Sequence, residues 1–344
     1  MPVTTAEADA RYAADWSQWP VPQQADILVE PWAGVPGSFW TEDISGRMVD
    51  AVRTKALVDV DVPITSHAGA PPWQGSSYGM PYQIIDSTAA TTPVWDMSQP
   101  IRWSWFTPTF PIVNVPLPDV VRREGDPVGS SDLHWIGFDP SKRVLWEAIT
   151  VSKPPFARFQ TWGRCDWIGG YAGGGPAFSR WDTSKAWNAA GQPTGVVAAG
   201  IPKLPLLVRF DQAARAIASG DPDATLGHAI FGVLPNYNPG RVAPARGSDG
   251  SMSAHPVRAG ERLRLPWHRA REHKAGTLVR VIANTLARRG WVQADRTSTS
   301  TVPKFGVGGF PMSLDCRWHQ GAGPIAPLGP FEFRLADFEI ILSS

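Results

Sequence analysis

The sequence predicts a mainly β protein, with a sandwich or jelly-roll core and a few short helices. Proline (34 residues) and glycine (33 residues) make up about a fifth of the 344-residue chain, and both residue types interrupt helices. Apolar residues alternate with a period of two in several short runs, as they do in strands with one buried face. Seventeen tryptophans give the chain ample apolar surface to bury, which argues against disorder.

The charge balance and the cysteine content exclude several classes of function. The chain carries 32 basic and 31 acidic side chains, so we expect neither nucleic acid nor an anionic membrane surface as a partner. Cys165 and Cys316 stand in no spacing typical of a metal site, and we predict no metal and no cofactor. No apolar run approaches the roughly 20 residues that cross a membrane, so no membrane insertion is expected. The N-terminus lacks the basic region and the apolar run of a signal peptide.

Helical periodicity is restricted to a few segments. It is clearest over Thr277–Arg289, where apolar residues share one face, the last residues are arginines and Gly290 follows as a stop signal. The other predicted helices are Thr4–Ala14, Ile44–Val58 and Asp211–Ser219.

The best strand signal is a hairpin over residues 134–151. Two alternating runs flank Asp139-Pro-Ser-Lys142, whose residue types favour a turn. On the second strand, either Val144 and Trp146 or Leu145 and Glu147 should face inward. Further strands are predicted at 60–64, 101–105, 112–113, 229–234 and 291–295, and the chain should end in a strand within 331–342.

The chain is predicted to divide at residue 58. Residues 1–58 form an N-terminal arm with short helices, whose four tryptophans lie among prolines and glycines. Residues 59–344 form the β-rich core domain. The arm must bury its indoles to become ordered, either against an adjacent subunit or by folding back on its own domain, and we expect it to serve attachment.

The densest group of catalytic-type side chains precedes and crosses the hairpin. Asp132 and His134 are two residues apart, so on a strand they point to one face, and Glu147 lies on the partner strand. Glu124 begins the same segment. Carboxylates that face each other across a sheet are how glycosidases arrange an acid and a base. In the alternative interpretation, Asp132 caps a turn, His134 is half-buried, and Glu147 pairs with Arg143 in solvent.

Several tryptophans in the middle of the chain are candidates for ligand binding. A flat aromatic ring stacks on the apolar face of a sugar, and tryptophan suits wet interfaces because it carries one polar atom. The alternative is core packing in a β-sandwich. The candidates are Trp103, Trp105, Trp135, Trp146 and Trp181.

Six blocks of sequence carry a family resemblance. They cover about residues 124–295 and read, in order, DLHWIGFDPSKRVLWEA, VVAAGIPKLPLLVRFDQA, ATLGHAIFGVLP, VAPARG, GERLRLP and LARRGWVQAD. In this order they resemble a family of uncharacterised secreted bacterial proteins associated with carbohydrate modules. They also resemble minor tail (tail-tip) proteins of phages that infect actinobacteria.

The resemblance implies a location and a set of partners. It implies a virion tail component that contacts the host cell surface through a glycan-binding face, works beside other tail proteins and is oligomeric within an assembly. The family's Asp-x-His pair, the following Glu and its His-Ala pair fall on Asp132, His134, Glu147 and His228, so His228 joins the candidate ligand-binding residues. Two alternatives stay open: a glycoside hydrolase or lyase that acts on host cell-wall polysaccharide, and a purely structural tail protein.

Overall fold

The chain is mainly β with a few short helices, which confirms the predicted fold class. The computed structural model describes residues 31–32, 35, 38–61, 63, 65–66, 80–96, 102–103, 108–109, 112–118, 121, 133–149, 151, 167–169, 178–185, 194–296, 304–305, 307–309 and 333–342.

The helices of the described residues are short. The α-helices are α1 (Ala51–Lys55), α2 (Phe210–Ala218), α3 (Trp267–Arg271) and α4 (Leu278–Arg288), and 3-10 helices span Phe39–Thr41, Ala56–Val60, Leu204–Leu206 and Leu335–Asp337. No helix among these residues is long and apolar enough to cross a membrane.

The strands are numerous and most have two to five residues. They are β1 (Thr65–Ser66), β2 (Met80–Pro81), β3 (Gln83–Ile84), β4 (Thr92–Asp96), β5 (Arg102–Trp103), β6 (Pro108–Thr109), β7 (Ile112–Val115), β8 (Trp135–Asp139), β9 (Val144–Ala148), β10 (Trp167–Gly169), β11 (Phe178–Asp182), β12 (Val208–Arg209), β13 (Ile230–Leu234), β14 (Asn238–Arg241), β15 (Arg258–Ala259), β16 (Arg262–Arg264), β17 (Trp291–Arg296), β18 (Lys304–Phe305), β19 (Val307–Gly309) and β20 (Glu339–Ile340).

A six-stranded mixed sheet organises the main core. Its order is β1-β18-β13-β17-β16-β20, with β13 parallel to β17 and β16 antiparallel to both β17 and β20. A four-stranded sheet has the order β11-β9-β8-β3, and smaller sheets are β10-β4-β7, β12-β19-β2, β14-β15 and β5-β6. Strand direction was not predicted, because alternation marks a buried face and not a partner.

Helix α4 confirms the clearest helix prediction and covers the main core. Thr277 caps its first turn, since the Thr277 hydroxyl oxygen accepts from the Arg280 backbone N–H at 3.3 Å. Its buried face includes Leu278, Ile282 and Leu286. Gly290, with φ +76°, ends the helix and leads directly into β17, as its left-handed conformation allows. The predicted helix at 211–219 and the predicted strands at 112–113, 229–234 and 291–295 are also observed, with small shifts at their ends.

The predicted hairpin is formed by β8 and β9. The strands pair antiparallel, from Trp135 opposite Ala148 to Asp139 opposite Val144. Leu145 and Glu147 are fully buried and form the inward row, which is one of the two predicted alternatives. The opposite face of this sheet packs on a second, smaller apolar cluster that contains Trp135.

Residues 38–58 pack directly on the main core. The Trp40 carbonyl accepts from the Ala229 N–H at 2.6 Å, and the Arg264 guanidinium donates to the carbonyls of Ile44 and Ser45 at 2.9 and 2.7 Å. The division of the chain at residue 58 stays a prediction. In the structure, this position lies inside the 3-10 helix Ala56–Val60.

Three predictions were wrong in their extent. The predicted helix Ile44–Val58 starts only at Ala51, because Val49 pairs antiparallel with Ile341 and Asp50 caps α1. Tertiary pairing therefore overrides the helical spacing before residue 50. The final strand is reduced to β20, since the 3-10 helix Leu335–Asp337 occupies the preceding residues. Strand is predicted from residue 60, but Val60 ends a 3-10 helix. The predicted helix at 4–14 lies outside the described residues.

Candidate functional site

Glu147 lies inside the protein, at the contact between the hairpin and the 3-10 helix Leu204–Leu206. One carboxylate oxygen accepts from the backbone N–H groups of Lys203 and Leu204, at 2.8 and 2.9 Å, and the other lies 3.0 Å from the Lys203 nitrogen. Burial raises the pKa of Glu147 to about 7, although these hydrogen bonds and the Lys203 charge oppose the shift. The side chain therefore satisfies backbone donors that would otherwise be buried without acceptors.

The predicted convergence of Asp132, His134 and Glu147 stays a prediction, because Asp132 and Glu124 lie outside the described residues. His134 is 2% exposed and Glu147 has no exposed surface. A substrate cannot reach Glu147 in this conformation. The predicted alternative, a solvent-exposed pair between Glu147 and Arg143, was wrong, because the Arg143 guanidinium donates to the Thr183 carbonyl at 3.1 Å.

The predicted binding tryptophans that the structure describes mostly fill the core. Trp135 and Trp181 are fully buried, and the Trp135 indole N–H donates to Gln83 at 3.0 Å. Of the three candidates whose side chains the structure describes, Trp146 is the one that keeps part of its surface accessible. For Trp103 the structure gives a backbone position in β5, and Trp105 lies outside the described residues.

His228 is also a buried residue. It is 1% exposed, and its two ring nitrogens lie 2.7 Å from the Ala229 carbonyl and 2.9 Å from the Gln212 side-chain oxygen. The imidazole therefore connects the start of β13 to α2. This placement gives it no surface for a ligand.

A polar cleft with an aromatic side chain lies elsewhere, where the C-terminal end of α4 meets α3 and the edge of the six-stranded sheet. Its volume is about 430 Å³. The lining residues are Ser45, Asp223, Arg264, Pro266, Trp267, Arg271, Ala287, Arg288 and Glu339.

One wall of this cleft, hereafter the Trp267 cleft, is held rigidly. Arg264 and Glu339 are opposite each other on β16 and β20, and the guanidinium donates twice to the same carboxylate oxygen, at 2.7 and 2.9 Å. Such charge-assisted pairs hold both side chains in one geometry. Arg264 also donates to the carbonyls of residues 44, 45 and 47, which fixes the neighbouring loop against the sheet.

Trp267 is half-buried and has two cations beside its ring. The Arg271 and Arg288 guanidinium carbons lie 5.4 and 5.7 Å from the ring centroid, within the range of cation–π attraction. Arg271 follows Trp267 by four residues, so both lie on one face of α3. The cleft therefore combines an aromatic surface with planar hydrogen-bond donors.

The Trp267 cleft was not predicted, because the candidate binding tryptophans all lie in the middle of the chain, between residues 103 and 181. The available signal was local: a tryptophan after Pro266 at the start of a short helix, with an arginine four residues later. The contribution of Arg288 depends on tertiary packing and has no local signal.

Neither a metal centre nor a known relative identifies the site. Within the described ranges, no three His, Cys, Asp or Glu side chains are grouped so that they could hold a metal ion. In comparisons with protein-family models, curated proteins and solved structures, no match was found.

Proposed function

We propose that this protein is a glycan-binding component of a virion tail and that the Trp267 cleft is its binding site. The observation that supports binding is the half-buried Trp267 ring beside arginine and carboxylate side chains in a cleft of about 430 Å³. An indole stacks on the apolar face of a sugar ring, while guanidinium and carboxylate groups bond to its hydroxyls. The location in a tail, beside other tail proteins and against host cell-wall glycan, rests on the sequence resemblance.

Binding is a better proposal than hydrolysis at the hairpin. A glycosidase needs two carboxylates that reach the scissile bond, and the one described candidate, Glu147, is fully buried under three contacts from backbone N–H groups. In the Trp267 cleft, the Glu339 carboxylate is already bonded to Arg264. A carboxylate held in this way is suited to orienting a ligand.

The test is binding of the full chain to purified host cell-wall polysaccharide. Trp267→Leu keeps apolar bulk but removes the flat ring, so binding should weaken by about tenfold, within the range of a lost aromatic contact. Trp267→Phe should retain most of the binding. Trp146→Leu is the matched control, since Trp146 is also partly buried but lies on the hairpin.

Each other outcome is informative. Binding lost in Trp146→Leu and kept in Trp267→Leu would move the site to the hairpin face. If the wild-type protein released reducing ends from the polysaccharide and the Glu147→Gln variant did not, the hydrolase alternative would replace the proposal. Thermal unfolding of each variant shows whether a loss of binding reflects a loss of fold.

A further inference from the structure

The charges of the Trp267 cleft are not balanced within the protein. Three arginines and two carboxylates line it. Arg264 is paired with Glu339 at 2.7 Å, and Asp223 lies 3.6 Å from Arg280, which is outside the lining. Both acidic side chains are therefore already matched to a cation.

Neither Arg271 nor Arg288 pairs with a carboxylate of the cleft lining, although Arg288 lies close enough to Asp43, outside the lining, for the two charges to interact. Both are exposed, and among the residues that the structure describes neither forms an ion pair. By contrast, Arg269, which lies on the same short helix as Arg271, contacts Asp337 and Glu272, each at 2.8 Å. Arginines at helix C-termini are favoured by the helix dipole, but this does not require them to flank the same aromatic ring.

We propose, building on the proposed function, that the Trp267 cleft selects a saccharide that carries a carboxylate or a phosphate. The Trp267 indole contacts the sugar ring, and the guanidinium groups of Arg271 and Arg288 beside it bind the anionic substituent. Guanidinium is suited to this role because its planar donors match carboxylate and phosphate oxygens in pairs. A neutral saccharide would offer neither guanidinium group an ion pair.

The experiment is calorimetric titration of the full chain with matched ligand pairs. The carboxylate arm compares an oligogalacturonate with its methyl ester, which has the same skeleton without the charge. The phosphate arm compares mannose 6-phosphate with mannose, and inorganic phosphate is titrated alone. In at least one arm the anionic member should bind roughly tenfold more tightly, equivalent to about 1.4 kcal/mol, and the preference should shrink at high salt.

The variants separate the anion preference from sugar binding itself. Arg271→Gln combined with Arg288→Gln should erase the preference, because the anionic member should lose about tenfold more affinity than the neutral member. Arg241→Gln is the matched control, because Arg241 is exposed on β14, away from the cleft, and should keep the preference. A role limited to helix stability would lower the melting temperature in the double variant and preserve the ratio of affinities.

Four results would overturn the inference. Equal affinities within both pairs, or a preference that survives in the double variant, would reject anion selection and leave glycan binding standing. Phosphate alone binding as tightly as mannose 6-phosphate would show an anion site without sugar recognition. If no member of either pair bound, and cell-wall polysaccharide did not bind either, the proposed function would fail together with the inference.

Discussion

The Glu147 carboxylate lies 2.8 Å from the backbone nitrogen of Lys203, and this contact joins the hairpin to the segment that precedes β12. Both residues are buried, at 0% and 2% exposure. A carboxylate that is fully buried, with backbone N–H groups as its donors, is typical of a structural capping role. The same contact makes the stability of the fold sensitive to the protonation of one side chain.

The first prediction concerns this pH dependence. Burial raises the pKa of Glu147 from 4.5 to about 7. At a pH between these two values, the folded state therefore retains a proton that the unfolded state has released. Stability contributed by protonated Glu147 is therefore fully present below about pH 4.5 and is lost as the pH rises to about 7, by about 3 kcal/mol in total. Glu147→Gln should remove this loss.

The measurement is urea denaturation of both proteins from acidic to neutral pH. The difference in unfolding free energy between wild type and Glu147→Gln should move in favour of the Gln variant as the pH rises. Two curves that stay parallel over this range would contradict the prediction. Asp59→Asn, which removes one carboxylate at an exposed position, serves as the control.

The second prediction has the opposite sign and concerns Asp139 in the hairpin turn. Burial alone would raise the pKa of Asp139, but hydrogen bonds from Ser87, Ser141 and Lys142 outweigh it and hold the pKa below its ordinary value of 3.8. Asp139 therefore stabilises the protein at neutral pH, and this stability is lost as the pH falls below about 4. Asp139→Asn should cost about 1–3 kcal/mol at neutral pH, since Ser87 loses its charged acceptor.

Denaturation at neutral and acidic pH checks this second prediction. The gap between wild type and Asp139→Asn should narrow at acidic pH, where the wild-type carboxylate is itself protonated. A gap that is independent of pH would show that the loss comes from altered turn geometry.

Local patterns were sufficient for some elements of the fold and insufficient for others. Helix α4 and the β8–β9 hairpin were predicted because their signals, a capped amphipathic run and a turn between alternating strands, lie within a few residues of each other. The segment before α1 was mispredicted because Val49 pairs with Ile341, almost the full chain length away. Such a partner leaves no trace in the local spacing.

The candidate site followed the same rule. Glu147 was identified as a candidate by its residue type and its strand position. Its side chain points to the same face of the strand as core residues do, so the strand pattern does not distinguish a catalytic role from a structural one. The contact with the Lys203 backbone nitrogen reveals the structural role. The Trp267 cleft is assembled from β16, β20, α3 and α4, together with single loop residues, so no window of sequence contains it.

The third prediction concerns Glu261, a buried carboxylate between two arginines. Its Oε1 atom lies 3.1 Å from Arg53 and 2.9 Å from Arg258, and Glu261 is 1% exposed. Glu261→Gln should destabilise the protein by less than the roughly 3–5 kcal/mol of a fully buried pair, because both arginines are partly exposed. Arg53→Met should cost less than Glu261→Gln, since Arg258 would still compensate the carboxylate.

Chemical denaturation of the two single variants and the double variant gives the coupling between Arg53 and Glu261 directly. The double variant should be more stable than the sum of the single losses implies. Simple additivity would mean that residues 38–58 are held to the core by their other contacts, including those of Arg264.

The fourth prediction concerns the contact between Gly232 on β13 and the Trp291 indole on β17. A Cβ atom at Gly232 would lie 1.4 Å from the Trp291 ring nitrogen, a distance that no packing arrangement tolerates. Trp291 is fully buried and packs edge-on against Phe338, with ring centroids 5.6 Å apart, so the indole has little room to move. Gly232→Ala should therefore cost at least the roughly 1–3 kcal/mol typical of an overpacked core.

Gly46→Ala is the matched control, because nothing lies within 4 Å of a Cβ atom there, and it should be close to neutral. Combining Gly232→Ala with Trp291→Phe should cost less than the sum of the two single changes, since the smaller ring leaves space for the methyl group. Additive losses in thermal or urea denaturation would show that the alanine methyl group is accommodated by movement of β13 instead of displacement of the indole.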